Sequence, residues 1–409
     1  MADRSVDFLL IGGGIATAAC ARTLREEGAG GSIVLVGREP HPPYERPPLS
    51  KGYLRGESSQ EDAHVEASGW WEENDVELLT RTSVMKLDPQ ERTAKLSTKE
   101  EIGFDKLLLA TGANVRRLRA DGADLEGIHY LRAFGNSDAI REEAAEAERV
   151  VLIGGSYIGC EVAASLTAGP GKHCTIVMQE DEVLERTVGP TLASFFGGVL
   201  RDKGIEVKGG ESLARFEGAD GRVSRVVTES GLELECDMVV VGAGVMPDVM
   251  LAKSAGLDLG ENGGVLCSAG LATSVDGIFA AGDMCEYDSV VHGRPLRVEH
   301  VEAARAQGAT AARSMLGQDV RHEEVPLFYS DLADWVSFEY VGPGSGEPTI
   351  RGSLDDGDFT AFYLDEGQVT SALTVGRGDD LEHAKRMLAG GASPDPAALA
   401  DESTDLSAL

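Results

Sequence analysis

The chain has 409 residues, of which 42% are apolar and 51 are glycine, and its formal net charge is −32. This length allows two or three domains with substantial cores. The strong negative charge makes nucleic acid and anionic membranes unexpected partners, and because no run of 18 apolar residues occurs, no segment is expected to span a membrane.

The amino-terminal residues and the cysteines favour a cytoplasmic protein. Residues 1–4 lead directly into a strand-like run, without the pattern of a signal or transit peptide. The six cysteines are scattered and contain no C-x-x-C pair, which argues against a disulfide framework and against a zinc site. The eight histidines show no metal-binding spacing, so no metal is expected.

The first motif is a strand, a glycine-rich turn and a helix. Residues 6–11 have the pattern of a buried parallel strand, and a helix of small residues is predicted over residues 18–24. The turn between them is the fingerprint of a dinucleotide-binding unit. Gly12 would make the tight bend, and Gly14 would let backbone amides approach a pyrophosphate at the positive end of the helix. Thr17 replaces the third glycine, which predicts a slightly looser contact between helix and strand.

A stiff, proline-rich segment follows the next strand. That strand is predicted at residues 32–36, and Glu39 beyond it is expected to accept hydrogen bonds from a ribose. Three prolines within residues 43–51 lock φ, remove amide donors and push the residue before each of them towards extended geometry. The segment is therefore predicted to be neither an ordinary helix start nor a strand. It carries the cations Arg46 and Lys51 and is expected to lie along a flavin.

A second fingerprint repeats this pattern in the middle of the chain. A strand is predicted at residues 150–153, followed by a glycine turn and by a helix at residues 160–166. Ser156 stands where the middle glycine is usual, so the backbone can still approach a phosphate and the hydroxyl is expected to bind it. Two such units predict two nucleotides, and a bound flavin with a nicotinamide cofactor is the economical pairing.

The strand after the second fingerprint bears on the choice of nicotinamide cofactor. It is predicted at residues 174–178, and Glu180 follows it. An acidic residue near the end of this strand is typical of enzymes that use the non-phosphorylated cofactor. Arg186 is within reach of a 2′-phosphate, but no basic cluster stands directly beyond the strand. The sequence therefore favours NADH over NADPH.

The remaining segments indicate an α/β chain with a separate carboxyl-terminal region. Strands predicted at residues 106–109 and 238–241 end in small-residue turns, interpreted as crossings between domains. A strand at residues 278–281 delivers Asp283 to the edge where α/β ligands bind, and this carboxylate is suited to a ribityl hydroxyl. A helix is predicted over residues 301–315.

From about residue 326 the pattern changes to short, alternating strands rich in aromatic residues. Four such strands and a helix at residues 379–389 are predicted, and the acidic tail after Gly390 is expected to be extended. These features indicate a small α+β domain.

Together these motifs resemble the flavin-dependent NAD(P)H:ferredoxin or rubredoxin reductases of the oxygenase-coupled type. The most specific marker is the sequence from Tyr44 to Lys51. The supporting markers are Ala110-Thr111-Gly112, Gly282-Asp283, Arg297-Val298-Glu299-His300 and Phe328-Tyr329-Ser330-Asp331.

The resemblance implies a glutathione-reductase-like α/β fold with two Rossmann-like nucleotide-binding domains and a small α+β C-terminal domain. Residues 1–115 and 244–325 would form a discontinuous FAD-binding domain. Residues 116–243 would form the NAD(P)-binding domain, and residues 326–409 the C-terminal domain.

The resemblance also implies roles for individual residues. Lys51 would lie near the flavin N5 edge, Glu161 would pair with Lys51, and Tyr157 would lie over the flavin face where nicotinamide enters, so these three are the expected catalytic residues. The residues expected to bind FAD are Gly12, Gly14, Ile15, Ala16, Glu39, Arg46, Lys51, Val84, Ala110, Thr111, Gly112, Asp283, Glu299, His300 and Val301. The residues expected to bind NADH or NADPH are Gly154, Ser156, Tyr157, Ile158, Gly159, Glu180 and Gly244.

Two departures from the family pattern leave the electron acceptor open. Val301 stands where many members have tryptophan, and Phe328-Tyr329-Ser330-Asp331 replaces a Trp-Ser-Asp-Gln segment. A small iron–sulfur protein is the expected acceptor, although an acidic ferredoxin would need a local basic patch on this chain. The alternatives are an NADH oxidase, a reductase of quinones or small metabolites, and a redox-signalling flavoprotein of the apoptosis-inducing-factor type. A monomer or a homodimer is expected.

Overall fold

The structure is a computed structural model that describes residues 2–409. The chain divides into two compact units, each assembled from segments far apart in sequence. Unit 1 comprises the residues up to Glu45, together with Glu61–Asn114 and Met246–Pro326. Unit 2 comprises Arg46–Gln60, Val115–Val245 and Leu327–Leu409. Two short strands, Ala113–Val115 and Val245–Pro247, contain two of the five points at which the chain passes from one unit to the other.

Unit 1 is organised around a seven-stranded sheet. Its central strand, Arg4–Ile11, pairs in parallel with neighbours on both sides, which is why Leu9 and Leu10 are fully buried. Each such side chain stabilises the fold by about 1.5–3 kcal/mol. The strands in spatial order are Val76–Leu79, Ile33–Val36, Arg4–Ile11, Glu101–Leu109, Thr93–Leu96 and Val84–Asp88, with Ile278–Ala280 also paired to Glu101–Leu109.

Two helices of unit 1 cross with their backbones almost in contact. They are Ile15–Glu26 and Val301–Met315. A Cβ atom at Gly308 would lie 2.2 Å from the carbonyl oxygen of Ala16, so only glycine permits this approach. The other elements of this unit are the strands Val265–Cys267, Cys285–Ser289 and Arg294–Arg297, the helices Trp70–Glu73 and Met250–Ser254, and the 3-10 helices Glu61–Ala63 and Gly282–Met284.

Unit 2 contains a second parallel sheet, which has five strands. Its strands in spatial order are Glu206–Lys208, His173–Val177, Arg149–Ile153, Met238–Val241 and Ile128–Tyr130. An antiparallel sheet of three strands accompanies it, formed by Leu213–Ala219, Arg222–Thr228 and Glu233–Glu235. The helices of this part are Gly52–Arg55, Phe134–Ala144, Tyr157–Ala168 and Glu185–Asp202. The predicted α/β class with two Rossmann-like sheets is confirmed.

The carboxyl-terminal part of unit 2 is an antiparallel sheet of five strands rather than four. In spatial order they are Leu327–Leu332, Val336–Val341, Gln368–Val375, Asp358–Asp365 and Thr349–Ser353. The helix Gly378–Gly390 follows, close to its predicted bounds.

The expectation of an extended tail is wrong. The tail forms the helix Pro396–Ala400 and the 3-10 helix Leu406–Ala408, because Leu399 and Leu406 are buried. Buried Arg351 also donates hydrogen bonds to tail carbonyls, including that of Asp401 at 2.6 Å.

The proline-rich segment also departs from its prediction. Pro47–Ser50 is a 3-10 helix with a proline in its first turn, where a missing amide costs nothing. Arg46 precedes Pro47 and was expected to be extended, but its φ of −86° and ψ of −29° are helical. The reason is that its carbonyl accepts the first hydrogen bond of this turn, from the amide of Leu49 at 3.0 Å.

Candidate functional site

The first glycine turn, residues 12–17, is held against the end of a neighbouring strand in unit 1. Gly12 has a φ of +138°, and a Cβ atom there would lie 2.1 Å from the carbonyl oxygen of Ala110. Gly14 is different, because apart from Gly14 itself and its two chain neighbours no described residue has an atom within 4 Å of the position that a Cβ atom would take. One glycine is therefore required by packing, and the other leaves open space beside the backbone.

That open space lies at the start of the helix Ile15–Glu26. Gly14 is the residue before the helix, and among the described residues no side chain caps it. The amides of the first turn of a helix have no intrahelical partner, and the helix dipole adds about half a positive charge there. Amides without an intrahelical partner, open space beside Gly14 and positive potential fit the pyrophosphate of a dinucleotide such as FAD.

Thr17 fills the position of the third glycine and fastens the turn. Its hydroxyl donates to the carbonyl oxygens of Gly12 at 3.0 Å and Gly14 at 2.8 Å, and the side chain is fully buried. The looser contact expected from this substitution is therefore offset by hydrogen bonds.

Glu39 and its neighbours form a polar cluster beyond the second strand of unit 1. The Tyr44 hydroxyl donates to Oε2 of Glu39 at 2.5 Å, which fixes the orientation of this carboxylate. Arg38 donates to Asn114 at 2.8 Å and forms a 3.5 Å ion pair with Asp248. Glu39 is thus held in place at the edge where the sequence predicts a ribose contact, and that contact stays a prediction.

Asp283 lies in the 3-10 helix Gly282–Met284, directly after the strand Ile278–Ala280. Arg297 donates to the carbonyl oxygen of Asp283 at 3.1 Å and pairs with the Glu299 carboxylate at 2.5 Å. One arginine therefore links two of the residues that the family pattern assigns to FAD.

His300 is the cap residue directly before the helix Val301–Met315, and desolvation lowers its pKa to about 4, so the imidazole is neutral near pH 7. Thr111 follows the strand Glu101–Leu109 and donates its hydroxyl to the carbonyl oxygen of Asp248 at 2.6 Å. The other residues that the sequence assigns to FAD in unit 1 lie in helices and strands or directly beside them. Ile15 and Ala16 are buried at the start of the first helix, Val84 begins the strand Val84–Asp88, and Ala110 and Gly112 flank Thr111.

The second glycine turn, residues 154–159, lies in unit 2. Its third glycine position is occupied by Gly159, which has no side chain to donate a hydrogen bond to the turn. A Cβ atom at Gly159 would lie 2.0 Å from the carbonyl oxygen of Gly154, and one at Gly154 would lie 2.5 Å from that of Gly242. The Ser156 hydroxyl donates to the Gly242 carbonyl at 3.2 Å, and its expected contact with a phosphate stays a prediction. Ile158 is 39% exposed on the first turn of the helix.

Glu180 and Arg186 meet beyond the strand His173–Val177. Their side chains form a close ion pair, although Arg186 is 75% exposed. Gly244 lies beyond the strand Met238–Val241 with a φ of +84°, and its carbonyl oxygen accepts the amide of Arg116 at 3.0 Å. These residues border the same sheet as the second glycine turn, at the ends of its strands.

Lys51 and Glu161 form a buried ion pair in unit 2, with Nζ of Lys51 2.6 Å from Oε1 of Glu161. Two serines complete the shell of the carboxylate. Ser50 donates to Oε2 at 2.5 Å, and Ser330 donates to Oε1 at 2.6 Å. The pairing of lysine with glutamate follows from the family pattern. The sequence did not predict the contacts of the two serines, although Ser50 lies in the segment Tyr44 to Lys51 and Ser330 in the segment Phe328 to Asp331.

Tyr157 packs in an aromatic cluster of unit 2. Its ring centroid lies 4.0 Å from that of Phe328 and 6.1 Å from that of Phe338. Desolvation raises the pKa of Tyr157 well above its ordinary value, so the phenol stays neutral. Arg46 donates to the carbonyl of Arg132 in the same unit. The predicted roles of Tyr157 and Arg46 beside a flavin stay predictions.

All six cysteines are buried free thiols. Burial raises the pKa of Cys174 to about 11 and that of Cys236 to about 12, and it raises the pKa of Cys160 further. Thiolate is the reactive form of cysteine, so these thiols are poor nucleophiles at neutral pH. Within residues 2–409, no group of histidine, cysteine or acidic residues is arranged to hold a metal ion. Nor does this part contain a helix that is both long and apolar enough to cross a membrane.

Comparison with known proteins covers the whole of this architecture. Residues 6–308 match the pyridine nucleotide-disulphide oxidoreductase family, and residues 327–409 match the reductase C-terminal family. A ferredoxin–NAD(P)+ reductase of a Sphingomonas species is 32% identical over 392 residues, which are 95% of this chain and 94% of the relative.

Two solved structures are also similar along their full length. A ferredoxin reductase from Rhodopseudomonas palustris has a TM-score of 0.94 at 32% identity, with 98% of this chain and 99% of that chain covered. A covalent complex of putidaredoxin reductase with putidaredoxin gives a TM-score of 0.93 at 31% identity, with 100% of this chain and 98% of that chain covered.

Proposed function

This chain belongs to the pyridine nucleotide-disulphide oxidoreductase family and is an FAD-dependent NAD(P)H oxidoreductase, and we propose that a small iron–sulfur protein of the ferredoxin or rubredoxin type accepts its electrons. The family and the enzyme class predicted from the sequence are therefore confirmed. The observation that carries the proposed acceptor is the likeness, along almost the whole chain, to ferredoxin reductases and to a reductase solved together with putidaredoxin.

The proposal keeps the division into three functional regions. Residues 1–115 and 244–325 hold FAD, residues 116–243 bind NAD(P)H, and residues 326–409 form the C-terminal domain. The open cradle at Gly14 supports the first assignment, and the second glycine turn supports the next. The family match over residues 327–409 supports the last.

FAD, when bound, accepts a hydride from NAD(P)H and releases electrons singly, which protein side chains cannot do. The first glycine turn would hold its pyrophosphate, with Glu39 on a ribose and Asp283 on the ribityl chain. Glu180 would accept a hydrogen bond from the ribose of NADH, which makes NADH the proposed substrate. The buried thiols support a direct route for electrons out of the flavin and also support a cytoplasmic location.

Lys51 and Glu161 are the charged pair that we place at the reacting end of FAD. The lysine would stabilise the negative charge of the reduced flavin, and the glutamate would moderate that effect. Lys51→Met should retain FAD and slow its reduction by NADH in stopped-flow experiments. Lys51→Met combined with Glu161→Gln is the matched control, because it leaves no buried unpaired charge. An unchanged rate in both variants removes Lys51 from the mechanism.

The acceptor is tested with the purified FAD-loaded enzyme and NADH. Oxygen, a quinone, a rubredoxin and several [2Fe–2S] ferredoxins are offered in parallel, with cytochrome c reduction as the readout for the iron–sulfur proteins. Rapid reduction through one iron–sulfur protein supports the proposal. Rapid consumption of oxygen or quinone alone overturns it in favour of an oxidase or a quinone reductase. A long-lived charge-transfer band with a change of mass, and no turnover, favours a signalling flavoprotein.

A further inference from the structure

Glu161 is the acceptor for three short hydrogen bonds, and two of them share one oxygen atom. Lys51 Nζ and Ser330 Oγ both lie 2.6 Å from Oε1 of Glu161, while Ser50 Oγ lies 2.5 Å from Oε2. The glutamate is 3% exposed and the lysine 8%. A buried carboxylate depends on its donors, because water does not replace a missing one.

Ser330 reaches this carboxylate from a distant part of the chain. It lies in the middle of the strand Leu327–Leu332, is fully buried, and is paired across the sheet with Phe338. A serine in a strand commonly uses its hydroxyl on nearby backbone. This hydroxyl instead donates to a charged group 169 positions away. Such charge-assisted hydrogen bonds are about twice as strong as neutral ones.

We propose that Ser330 is a positioning residue for the redox site and acts through Glu161. Its hydroxyl holds Oε1 and disperses the carboxylate charge, so that less of that charge cancels the ammonium of Lys51. The C-terminal domain thereby adjusts the electrostatic potential of the Lys51–Glu161 pair. This inference rests on the proposed role of the pair beside FAD. It assigns to the reductase C-terminal region a part in hydride acceptance, in addition to any part in binding a partner.

The expected effect of Ser330→Ala has a definite sign. Loss of the hydroxyl leaves the carboxylate more negative, which disfavours the anionic reduced flavin. The midpoint potential of the bound flavin should therefore become more negative. The rate of flavin reduction at saturating NADH should fall by roughly threefold to tenfold. This is the scale expected when one hydrogen bond to a charged group is lost and that group, Glu161, acts on the flavin only through Lys51. KM for NADH should stay within about twofold, because uniform binding is unaffected.

Several variants separate this role from a merely structural one. Ser330→Cys keeps the volume with a poor donor and should resemble Ser330→Ala, whereas Ser330→Thr keeps the hydroxyl and should restore the potential. Ser371→Ala is the matched control, because Ser371 is equally buried in the same sheet and its hydroxyl accepts the amide of Gly344. Ser330→Ala in a Glu161→Gln background should add no further shift.

The potential is measured by xanthine and xanthine oxidase titration of the FAD-loaded protein, which needs neither NADH nor an acceptor. A shift in Ser330→Ala or Ser330→Cys that is absent from Ser371→Ala and from the Glu161→Gln background supports the inference. An unchanged potential in both Ser330 variants, or an equal shift in Ser371→Ala, overturns it. Failure of the proposed function would show itself separately, as wild-type flavin that NADH does not reduce or an iron–sulfur acceptor that receives no electrons.

Discussion

The two glycine turns share one plan, strand then turn then helix, but they solve the approach of helix to strand in opposite ways. In unit 2, Gly159 is required because any Cβ atom would lie 2.0 Å from the Gly154 carbonyl oxygen. In unit 1, Thr17 occupies the matching position and donates its hydroxyl to two turn carbonyls, at 2.8 Å and 3.0 Å. The comparison teaches that this position accepts a larger residue when that residue brings a donor for the carbonyls it approaches.

A second contrast concerns what surrounds each turn. The helix after the first turn is crossed at contact distance by the helix that contains Gly308. The second turn presents exposed Ser156 and half-exposed Ile158. A fastened turn suits a cofactor that stays bound, and a more open one suits a substrate that leaves after each cycle. The same glycine fingerprint can therefore serve both a nucleotide that stays bound and one that leaves after each cycle.

The largest effect is expected from Gly159→Ala. The added methyl group meets backbone rather than a movable side chain, and such overpacking costs roughly 1–3 kcal/mol. We expect kcat/KM for NADH to fall by about 10-fold to 100-fold with FAD content unchanged, as measured by ferricyanide reduction and flavin absorbance. Gly198→Ala is the control, because apart from the backbone of its own helix and its chain neighbours no described residue has an atom within 4 Å of the position that a Cβ atom would take there. Equal losses of FAD and NADH binding would contradict the assignment of the two turns.

Gly14→Ala tests the first turn at a position where, unlike at Gly159, the added methyl group meets open space. The fold has room for the methyl group, so thermal unfolding of the apoprotein should match that of wild type. FAD affinity should nevertheless fall by about tenfold, because the methyl group occupies the space predicted for the pyrophosphate. Affinity is measured by flavin fluorescence on reconstitution. Gly30→Ala, with similarly open surroundings in the described chain, should leave affinity unchanged, and an equal result for both variants would place the pyrophosphate elsewhere.

Thr17→Val removes the two hydrogen bonds of the first turn while keeping the shape of the side chain. The free energy of unfolding should decrease by about 1–2 kcal/mol, because the partly buried carbonyls of Gly12 and Gly14 lose the hydroxyl donor that they share. Urea denaturation measures this change. Thr167→Val is a useful comparison, since its hydroxyl makes a longer bond of 3.3 Å to Lys172 and should matter less. If the two variants are equally stable, the hydrogen bonds of Thr17 do not stabilise the first turn more than that of Thr167 stabilises its surroundings.

The smallest effect is expected from Arg186→Ala, at the far side of the second turn. The Glu180–Arg186 pair lies at the surface and its arginine is mostly exposed, so its contribution to stability is small. A 2′-phosphate would compete with Glu180 for this arginine, so kcat/KM for NADPH should fall a few-fold and that for NADH should stay within about twofold. Arg201→Ala, which breaks a similar 2.7 Å pair with Glu182, is the control. A parallel loss with both cofactors would show that Arg186 does not distinguish them.

Much of the fold was predictable, because buried strands and their caps leave local signals. The helix Val301–Met315 begins and ends as predicted. The strand Thr349–Ser353 was missed because its sequence has one aliphatic residue, a glycine and an arginine. Arg351 is buried through long-range partners, among them the tail carbonyl of Asp401 and the Asp380 carboxylate. The short helix of the tail did carry a signal, a proline preceded by the cap Asp395, whose side chain accepts the amide of Ala397.

The site was predictable in its types of residue more than in its contacts. The glycine turns follow from spacing and backbone geometry. The pairing of Lys51 with Glu161 came from the family pattern, since 110 positions separate the two residues. No feature of the sequence around Ser330 indicates that it donates a hydrogen bond to the Glu161 carboxylate, because that carboxylate lies on another element, 169 positions away. Long-range contacts of this kind depend on how elements pack, which periodicity does not encode.

The burial of every thiol has a practical consequence for work in solution. A cysteine introduced at an exposed position would be modified by maleimide reagents far faster than the six native ones, because all six native thiols are buried. The native sequence is therefore already suited to single-site labelling with fluorophores or spin labels. Such a probe can be attached without first replacing any native cysteine.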